Sequence, residues 1–248
     1  MLFFGKTDVG RRRANNQDTF LTHHFEHPEC DLCVVCDGMG GVAGGEVASS
    51  TAIQAFFDAI SRDLEAGMPD NIPDFLDNAC QEANMAVYRA ASKDSKLKGM
   101  GTTLVAALYI DNTYYVINVG DSRLYCITAE ETTQVTHDHT LVQALMDAGQ
   151  LTPEEAAVSS LRSTLIKCVG TSDEVEPDIF TVTLGGDNHD TYILLCSDGL
   201  TNYLSEEETR EILFTPEISL EEKVAMLIDG ANAGGGGDNI TAVVMKDN

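Results

Sequence analysis

Basic residues are scarce in this sequence. Only 15 Lys and Arg residues stand against 40 Asp and Glu residues, which gives a formal net charge of -25. Such a protein repels phosphate backbones and anionic lipid headgroups, so the composition argues against nucleic-acid and membrane-surface partners. The same balance suits a protein that binds divalent cations, although any acidic cytosolic protein shares it.

Long apolar runs are also missing. No segment approaches the roughly 20 apolar residues that span a bilayer, and the first residues, MLFFGKTDVGRRR, place an apolar patch before the arginines, the reverse of the order in a signal peptide. We therefore expect a cytoplasmic protein. There is no Pro-rich or Ser-rich linker and no solenoid-length repeat, and by length alone 248 residues can form one large domain or two small ones.

The seven cysteines do not suggest a disulfide framework, because their number is odd and they are spread through apolar segments. Cys30, Cys33 and Cys36 have the spacing of a CxxCxxC metal motif. If residues 32–36 form a strand, however, Cys33 and Cys36 point to opposite faces, since they are an odd number of positions apart. We therefore interpret these thiols as core residues rather than as metal ligands.

The periodicity of the apolar residues predicts an α+β fold. Helical spacing is followed by strand-like runs with short turns between them, which indicates an antiparallel meander over residues 102–135. Strands near both ends of the chain, with helix pairs between them, indicate a single domain over residues 1–248, with a surface flap at about 150–170. We expect a four-layer α-β-β-α sandwich of two antiparallel sheets. The predicted helices are 46–64, 74–91, 141–149, a helix starting at Thr152, 205–214 and 220–232; strands are predicted at 102–110, 114–119, 123–127, 133–135, 179–184, 191–196 and 239–245, with strand-like pieces in 1–36.

Four aspartates lie at ends of apolar runs beside glycine or another small residue: Asp37, Asp121, Asp198 and Asp238. If these ends converge, like charges ~4 Å apart repel by about 4 kcal/mol per pair at an effective dielectric constant of 20, and a cation relieves this repulsion. All-oxygen ligands favour Mg²⁺ or Mn²⁺ over Zn²⁺ or Cu²⁺, and the backbone carbonyl of Gly38 could join them. Asp-Gly after a strand is also an ordinary turn, so spacing alone leaves both interpretations open.

A basic cluster precedes the first of these aspartates, in the segment GRRRANNQD over residues 10–18. One of its arginines could bind a phosphate group through two parallel hydrogen bonds. An exposed basic turn is the alternative.

Seven motifs carry a resemblance to a known family. In chain order they resemble the metal-dependent protein phosphatases of the type 2C (PPM) family, in particular its small bacterial Ser/Thr phosphatases. The resemblance extends from residue 7 to residue 244. The motifs are GRRRANNQD, DGMGGVAGGE, GMGTTL, GDSR, THDHTLV, LLCSDGL and GGGDNITAVV.

The resemblance implies a β-sandwich flanked by helix pairs, with two Mg²⁺ or Mn²⁺ ions, and a third in bacterial members, at one edge. By this correspondence Asp37 bridges two ions, Gly38 contributes its carbonyl, and Asp198 and Asp238 complete the pair. Asp121 holds the third ion together with Asp198.

The resemblance also implies roles for residues around the metal ligands. Arg13 corresponds to the phosphate-binding arginine, Asp18 to a carboxylate that orients metal-bound water, and Asn239 to a residue that supports Asp238. A water or hydroxide between two ions then attacks phosphorus in line, without a phosphoenzyme. The implied partners are phosphorylated proteins, including a Ser/Thr kinase and its substrates, and we expect a monomer.

The sequence departs from the family pattern at three places. Met39 stands where animal members have a histidine, so another group must protonate the leaving group; metal-bound water is one candidate, and His137 and His139 are others that we expect to be structural. Gln17 replaces a common glutamate. The flap segment around Arg162, VSSLRSTL, lacks a His-Pro pair found in many bacterial members.

Other functions remain as alternatives. A non-catalytic phosphoprotein-binding regulator of the same fold is disfavoured because every metal-binding aspartate is present. A nucleotide-binding loop is disfavoured because GGVAGGE lacks the Lys-Ser/Thr of a P-loop. A calcium-binding module is disfavoured because no EF-type loop occurs.

Overall fold

A computed structural model describes residues 1–184 and 190–246, apart from the side chains of residues 42 and 43. Its strands are β1 (Leu2–Asp8), β2 (Asp18–Glu26), β3 (Glu29–Met39), β4 (Gly101–Thr102), β5 (Leu104–Ile110), β6 (Thr113–Val119), β7 (Arg123–Ile127), β8 (Thr132–Gln134), β9 (Asp178–Thr183), β10 (Tyr192–Cys196) and β11 (Ile240–Lys246). Its α-helices are α1 (Gly41–Glu65), α2 (Ile72–Lys93), α3 (Leu141–Asp147), α4 (Pro153–Ala157), α5 (Asp198–Thr201), α6 (Glu206–Leu213) and α7 (Leu220–Gly234).

The strands form two antiparallel sheets. The first sheet has the order β1-β11-β10-β7-β8, and the second has the order β2-β3-β5-β6-β9, with β4 beside the end of β3. Strands β1 and β11, which come from opposite ends of the chain, pair with Leu2 opposite Lys246. The predicted α+β architecture with two antiparallel sheets is therefore confirmed.

Three apolar layers hold these elements together. One lies between the second sheet and the helices α1 and α2, another between the first sheet and α5 to α7, and the third between the two sheets. In β3, Val34 and Cys36 face the helices while Cys33 and Val35 face the opposite sheet. Both faces of β3 are thus buried, which explains its continuous apolar run, and Cys33 and Cys36 occupy opposite faces as predicted.

The glycine-rich segment after β3 is helical. Helix α1 begins at Gly41 rather than at the predicted residue 46. A Cβ atom on Gly45 would lie only 2.5 Å from the Gly38 carbonyl oxygen, so glycine is needed where α1 packs against the end of β3. Helix propensity disfavours glycine, and here this tertiary contact outweighs it.

The predicted meander is wrong at the turn between β6 and β7. Strands β5 and β6 pair within the second sheet, whereas β7 and β8 belong to the first, so the chain crosses between sheets at Gly120 and Asp121. Gly120 has φ +107°, which allows the sharp change of direction. The alternation of apolar residues fits either sheet and could not reveal this crossing. Its consequence is that Asp121 lies where the two sheets meet.

Predicted helix starts are confirmed at two capping boxes. Thr152 accepts a hydrogen bond from the Glu155 backbone N–H, Ser205 does the same for Glu208, and each glutamate side chain accepts from the N-cap backbone in return. None of the helices formed by the described residues combines the length and apolarity that crossing a bilayer requires.

Candidate active site

One edge of the sandwich contains an open cleft of about 540 Å³. It lies between the loop that follows β1, the end of β3, the start of α1 and the ends of strands from both sheets. All predicted site residues except Asp18 line it, namely Arg13, Asp37, Gly38, Asp121, Asp198, Asp238 and Asn239. The fold thus brings together, at one place, aspartates that are up to about 200 positions apart in the sequence.

Three aspartates of this cleft, Asp37, Asp121 and Asp198, are poorly compensated by positive charge. Burial raises the pKa of Asp37 well above its usual range, and the charges of Asp18 and Asp198 raise it further. Burial, followed by the charge of Asp198, raises the pKa of Asp121 to about 7. Burial and Asp238 also raise the pKa of Asp198, whose Oδ1 is buried without a hydrogen-bond partner among the described residues. These groups therefore lack a counter-charge that a cation would supply.

The donor set fits a hard divalent ion with an incomplete protein shell. Within residues 1–184 and 190–246, no three His, Cys, Asp or Glu side chains are already grouped as ligands of a single ion. Mg²⁺ typically keeps several waters and takes only one or two protein carboxylates, so a closed protein cage is not required. The shared oxygen-lined cleft and the unpartnered Asp198 Oδ1 agree with such an ion, whereas a thiolate site has no support, because burial raises the pKa of the Cys30 thiol to about 11.

Arg13 is held at the cleft by one of its aspartates. Its Nη2 donates a hydrogen bond of 2.7 Å to Asp238 Oδ2, and about half of the Arg13 side chain is exposed. The hydrogen bond to Asp238 raises the pKa of the guanidinium, with burial acting in the opposite direction. Arg13 is therefore a charged, accessible donor next to the acidic cleft.

Asp18 lies behind the cleft rather than in its lining. It stands opposite Asp37 in the β2–β3 ladder, and its Oδ2 accepts hydrogen bonds of 2.7 Å from Ser197 Oγ and Thr241 Oγ1. Burial raises the pKa of Asp18 to about 6, although the two hydroxyls act in the opposite direction. This carboxyl group contacts the cleft only through its neighbours.

Asn239 links the loop after β1 to the start of β11. Its Nδ2 donates to the carbonyl oxygens of Val9 at 3.0 Å and Asn15 at 2.9 Å, and its Oδ1 accepts from the Gln17 N–H at 2.9 Å. These bonds place the arginine-containing loop beside Asp238, the neighbour of Asn239.

Two threonines that sequence reasoning did not single out hold Asp37 in place. Thr103 Oγ1 accepts a hydrogen bond of 2.9 Å from the Asp37 N–H and lies 2.7 Å from Ser122 Oγ. Thr102 Oγ1 donates to the Asp37 carbonyl oxygen at 2.9 Å. The available signal was the GMGTTL motif, which we recognised without assigning a role to its threonines. Through Thr103 and Ser122, the backbone at Asp37 is connected to the residue that follows Asp121.

No histidine is among the described residues that line the cleft, and Met39 does line it. His137 Nε2 lies 2.8 Å from Asp147 Oδ2 on the surface, and His139 Nδ1 accepts a hydrogen bond of 3.1 Å from the Gly120 N–H. Both histidines thus have partners outside the cleft, which agrees with the structural roles expected for them.

The sequence of this chain matches the family described as protein phosphatase 2C over residues 8–229. The chain belongs to the protein phosphatase 2C family. It is 38% identical over 243 residues to the protein phosphatase PhpP of Streptococcus pneumoniae, and the alignment covers 98% of this chain and 96% of PhpP.

Solved structures of other family members share the fold. The serine/threonine phosphatase Stp1 from Staphylococcus aureus superposes with a TM-score of 0.88 at 34% identity, covering 99% of this chain and 94% of Stp1. The catalytic domain of the serine/threonine protein phosphatase PstP, whose crystal structure is a complex with two manganese ions, superposes with a TM-score of 0.81 at 36% identity, covering 98% and 96%.

Proposed function

We propose that this member of the protein phosphatase 2C family is a serine/threonine phosphoprotein phosphatase that hydrolyses phosphomonoesters with Mn²⁺ or Mg²⁺. The observation that carries the proposal is the convergence of four aspartates and Arg13 on one cleft. Family membership, the Ser/Thr phosphatases among the relatives and the two manganese ions bound by PstP support it.

In this proposal the aspartates hold two ions, with a third beside them. Asp37 would be the ligand common to the pair of ions, with the Gly38 carbonyl, Asp198 and Asp238 as further ligands, and Asp121 would hold the third ion together with Asp198. When bound, such ions polarise phosphoryl oxygens and lower the pKa of water, so that hydrolysis proceeds at neutral pH. Every one of these ligands supplies oxygen, and Asp198 Oδ1 has no hydrogen-bond partner among the described residues.

Arg13 is proposed to bind the phosphate group of the substrate. Its guanidinium is half-exposed and lies beside Asp238, so rotation about its side chain brings N–H donors toward an anion in the cleft. Asn239 keeps the loop of Arg13 next to Asp238. Asp18 acts from behind Asp37, where it fixes the geometry of the strand end.

The leaving alkoxide needs a proton, and the described residues lining the cleft include no histidine to donate it. We therefore assign proton donation to water in this open cleft. Met39 stands at the position where animal members of the family have a histidine. It has no ionisable group and only lines the wall of the cleft. Turnover should accordingly be insensitive to replacement of His137, whose imidazole points to Asp147.

We further infer a monomeric cytoplasmic protein that acts on phosphorylated proteins, including a Ser/Thr kinase and the substrates of that kinase, in bacterial signalling, without nucleic-acid or membrane partners. Residues 1–248 would form one domain, with residues 150–170 as the flap. The pairing of β1 with β11, which joins the two ends of the chain in one sheet, supports the single domain. The net charge of -25 supports the exclusion of nucleic acid.

The test is a dephosphorylation assay on para-nitrophenyl phosphate and on phosphoserine, phosphothreonine and phosphotyrosine peptides, with Mn²⁺, Mg²⁺ or a chelator. We expect Mn²⁺-dependent turnover of para-nitrophenyl phosphate and of the phosphoserine and phosphothreonine peptides. Turnover that persists under full chelation would overturn the mechanism. Phosphopeptide binding without any turnover would instead identify a non-catalytic regulator.

A further inference from the structure

The turn that carries Asp121 is held by His139. The Gly120 N–H donates to His139 Nδ1 at 3.1 Å, the His139 N–H donates to the Gly120 carbonyl oxygen at 3.0 Å, and Asn118 Nδ2 donates to that same oxygen at 3.3 Å. The N–H and the carbonyl oxygen of Gly120 therefore both have hydrogen-bond partners, and His139 is a partner of each. The conformation of this turn determines where the next residue, Asp121, lies in the cleft.

The same turn packs against the residue that positions Asp37. A Cβ atom on Gly120 would lie 2.6 Å from Thr103 Cγ2, so the turn and Thr103 are in close contact. Thr103 in turn accepts the Asp37 N–H through its hydroxyl. Thr103 therefore packs against the Gly120 turn with its methyl group and holds the backbone of Asp37 with its hydroxyl.

The tautomer of His139 follows from its contacts. Because Nδ1 accepts the Gly120 N–H, a neutral imidazole must carry its hydrogen on Nε2. His139 Nε2 lies 3.1 Å from Asp178 Oδ2, and Asp178 Oδ1 lies 3.2 Å from Lys167 Nζ. Burial lowers the pKa of His139, which favours this neutral form.

His139 also connects the Gly120 turn to residues 164–166, the base of the flap. The Ile166 N–H donates to the His139 carbonyl oxygen at 2.9 Å, the Leu141 N–H donates to the Thr164 carbonyl oxygen at 2.8 Å, and Thr140 forms a bridge with Leu165. The residue is nearly completely buried, with 4% of its surface exposed. His139 therefore lies between the base of the flap and the Gly120 turn, and it contacts both.

We propose that His139 is a positioning residue: its Nδ1 fixes the Gly120 turn, and thereby Asp121, relative to the base of the flap. The proposal rests on the proposed function, because it treats Asp121 as a ligand. Partners that orient a metal ligand from outside the coordination shell typically contribute 10-fold to 100-fold to metal affinity. The functional atom is Nδ1 of the neutral ring, which acts as a hydrogen-bond acceptor.

Three substitutions separate the roles of the two ring nitrogens. In H139N, the amide Oδ1 stands near the position of Nδ1 and can accept the Gly120 N–H. In H139Q, the longer side chain reaches toward Asp178 but offers no acceptor at the position of Nδ1, and H139A removes both. We expect Mn²⁺ binding by H139N to stay within about 3-fold of wild type and binding by H139Q and H139A to weaken by about 10-fold. Binding is measured on the full chain without substrate, by electron paramagnetic resonance of free Mn²⁺.

A readout without metal follows from the same hydrogen bond. In the metal-free protein, hydrogen exchange of the Gly120 amide should be about 10-fold faster in H139Q and H139A than in H139N, because the protecting acceptor is lost. In a D121A background, H139Q should change Mn²⁺ binding by less than about 2-fold, since the effect acts through Asp121.

The outcomes distinguish this inference from the proposed function. A wild-type protein that binds no Mn²⁺ contradicts the proposed function. A wild-type protein that binds Mn²⁺, with H139N as weak as H139A or with H139Q as strong as wild type, overturns the role of His139 alone. An equal loss with and without Asp121 would likewise overturn it and would indicate general destabilisation.

Discussion

Asp18→Asn should stabilise the metal-free protein at neutral pH. The Asp18 carboxyl is buried, and burial raises its pKa from 3.8 to about 6. The folded protein therefore holds this proton to higher pH than the unfolded chain does, and the free energy of unfolding falls as the pH rises from about 4 to about 6. Ionisation of Asp18 lowers the free energy of unfolding by about 3 kcal/mol in total. Of this, about 2 kcal/mol is lost between pH 4.5 and pH 7.5.

An asparagine at position 18 cannot ionise, so it removes this penalty. Its amide oxygen can still accept hydrogen bonds from Ser197 and Thr241, as Asp18 Oδ2 does. The gain in unfolding free energy of D18N over wild type should therefore be about 2 kcal/mol larger at pH 7.5 than at pH 4.5. Any effect of the new amide on stability that does not depend on pH is the same at both pH values, so it cancels in this comparison.

The measurement is urea unfolding of both proteins at the two pH values with excess chelator. Ser197→Ala is a control of opposite sign: the hydrogen bond from Ser197 lowers the pKa of Asp18, so its loss should make the stability of the variant fall more steeply with pH than that of wild type. A gain for D18N that is the same at both pH values would refute the account of Asp18 as a buried carboxyl with a raised pKa. We also expect D18N to lose turnover, since stability and activity often oppose each other at active sites.

Three further predictions concern the lining of the cleft. Asp37→Ala should lower turnover of para-nitrophenyl phosphate by more than about 100-fold at saturating Mn²⁺, because the proposed bridging ligand is lost; activity within 10-fold of wild type would contradict this. Arg13→Ala should raise KM for the same substrate by about 10-fold with a smaller change in kcat, because a charge-assisted hydrogen bond to the phosphate group is lost. Arg12 is exposed, and Arg12→Ala should leave both KM and kcat within about 2-fold of wild type in the same kinetic experiment. Gly38→Ala should lower the free energy of unfolding by about 3 kcal/mol or more, because the new Cβ would overlap the backbone of α1. The control is Gly149→Ala, where φ is +67° and the space around the residue is open, and it should lower that free energy by only about 1 kcal/mol. Both variants are compared by urea unfolding, and equal losses would contradict the steric argument.

The sequence was informative where a single segment determines the outcome. The apolar run of β3 ending at Asp37 predicted a buried strand with a carboxylate at its end, and the structure has both. The helix starts predicted at Thr152 and Ser205 are present, because the capping hydrogen bonds that form there are local. The convergence of Asp121, Asp198 and Asp238 on the same cleft was a hypothesis from four similar strand ends, and the described structure brings them together.

The remaining features depend on contacts between distant segments. The crossing between sheets at Gly120 was missed because alternating apolar residues suit either sheet. The helical start at Gly41 was missed because glycine is a poor helix former, and the close contact with Gly38 that requires it is tertiary. The hydroxyl partners of Asp18 were missed because they lie about 180 and 220 positions away in the chain.

The position of Asp18 also explains how the two sheets are kept together at the cleft. The register of β10 and β11 places Cys196 opposite Ala242, so the aspartates that flank these strands become neighbours through antiparallel pairing alone. Asp37 comes from the other sheet, and among the described strands no backbone ladder joins it to them. Asp18, opposite Asp37 in the second sheet, accepts hydrogen bonds from Ser197 and Thr241 of the first sheet. A buried carboxylate that lowers stability at neutral pH is thus one of the polar contacts that align the two halves of the candidate metal site.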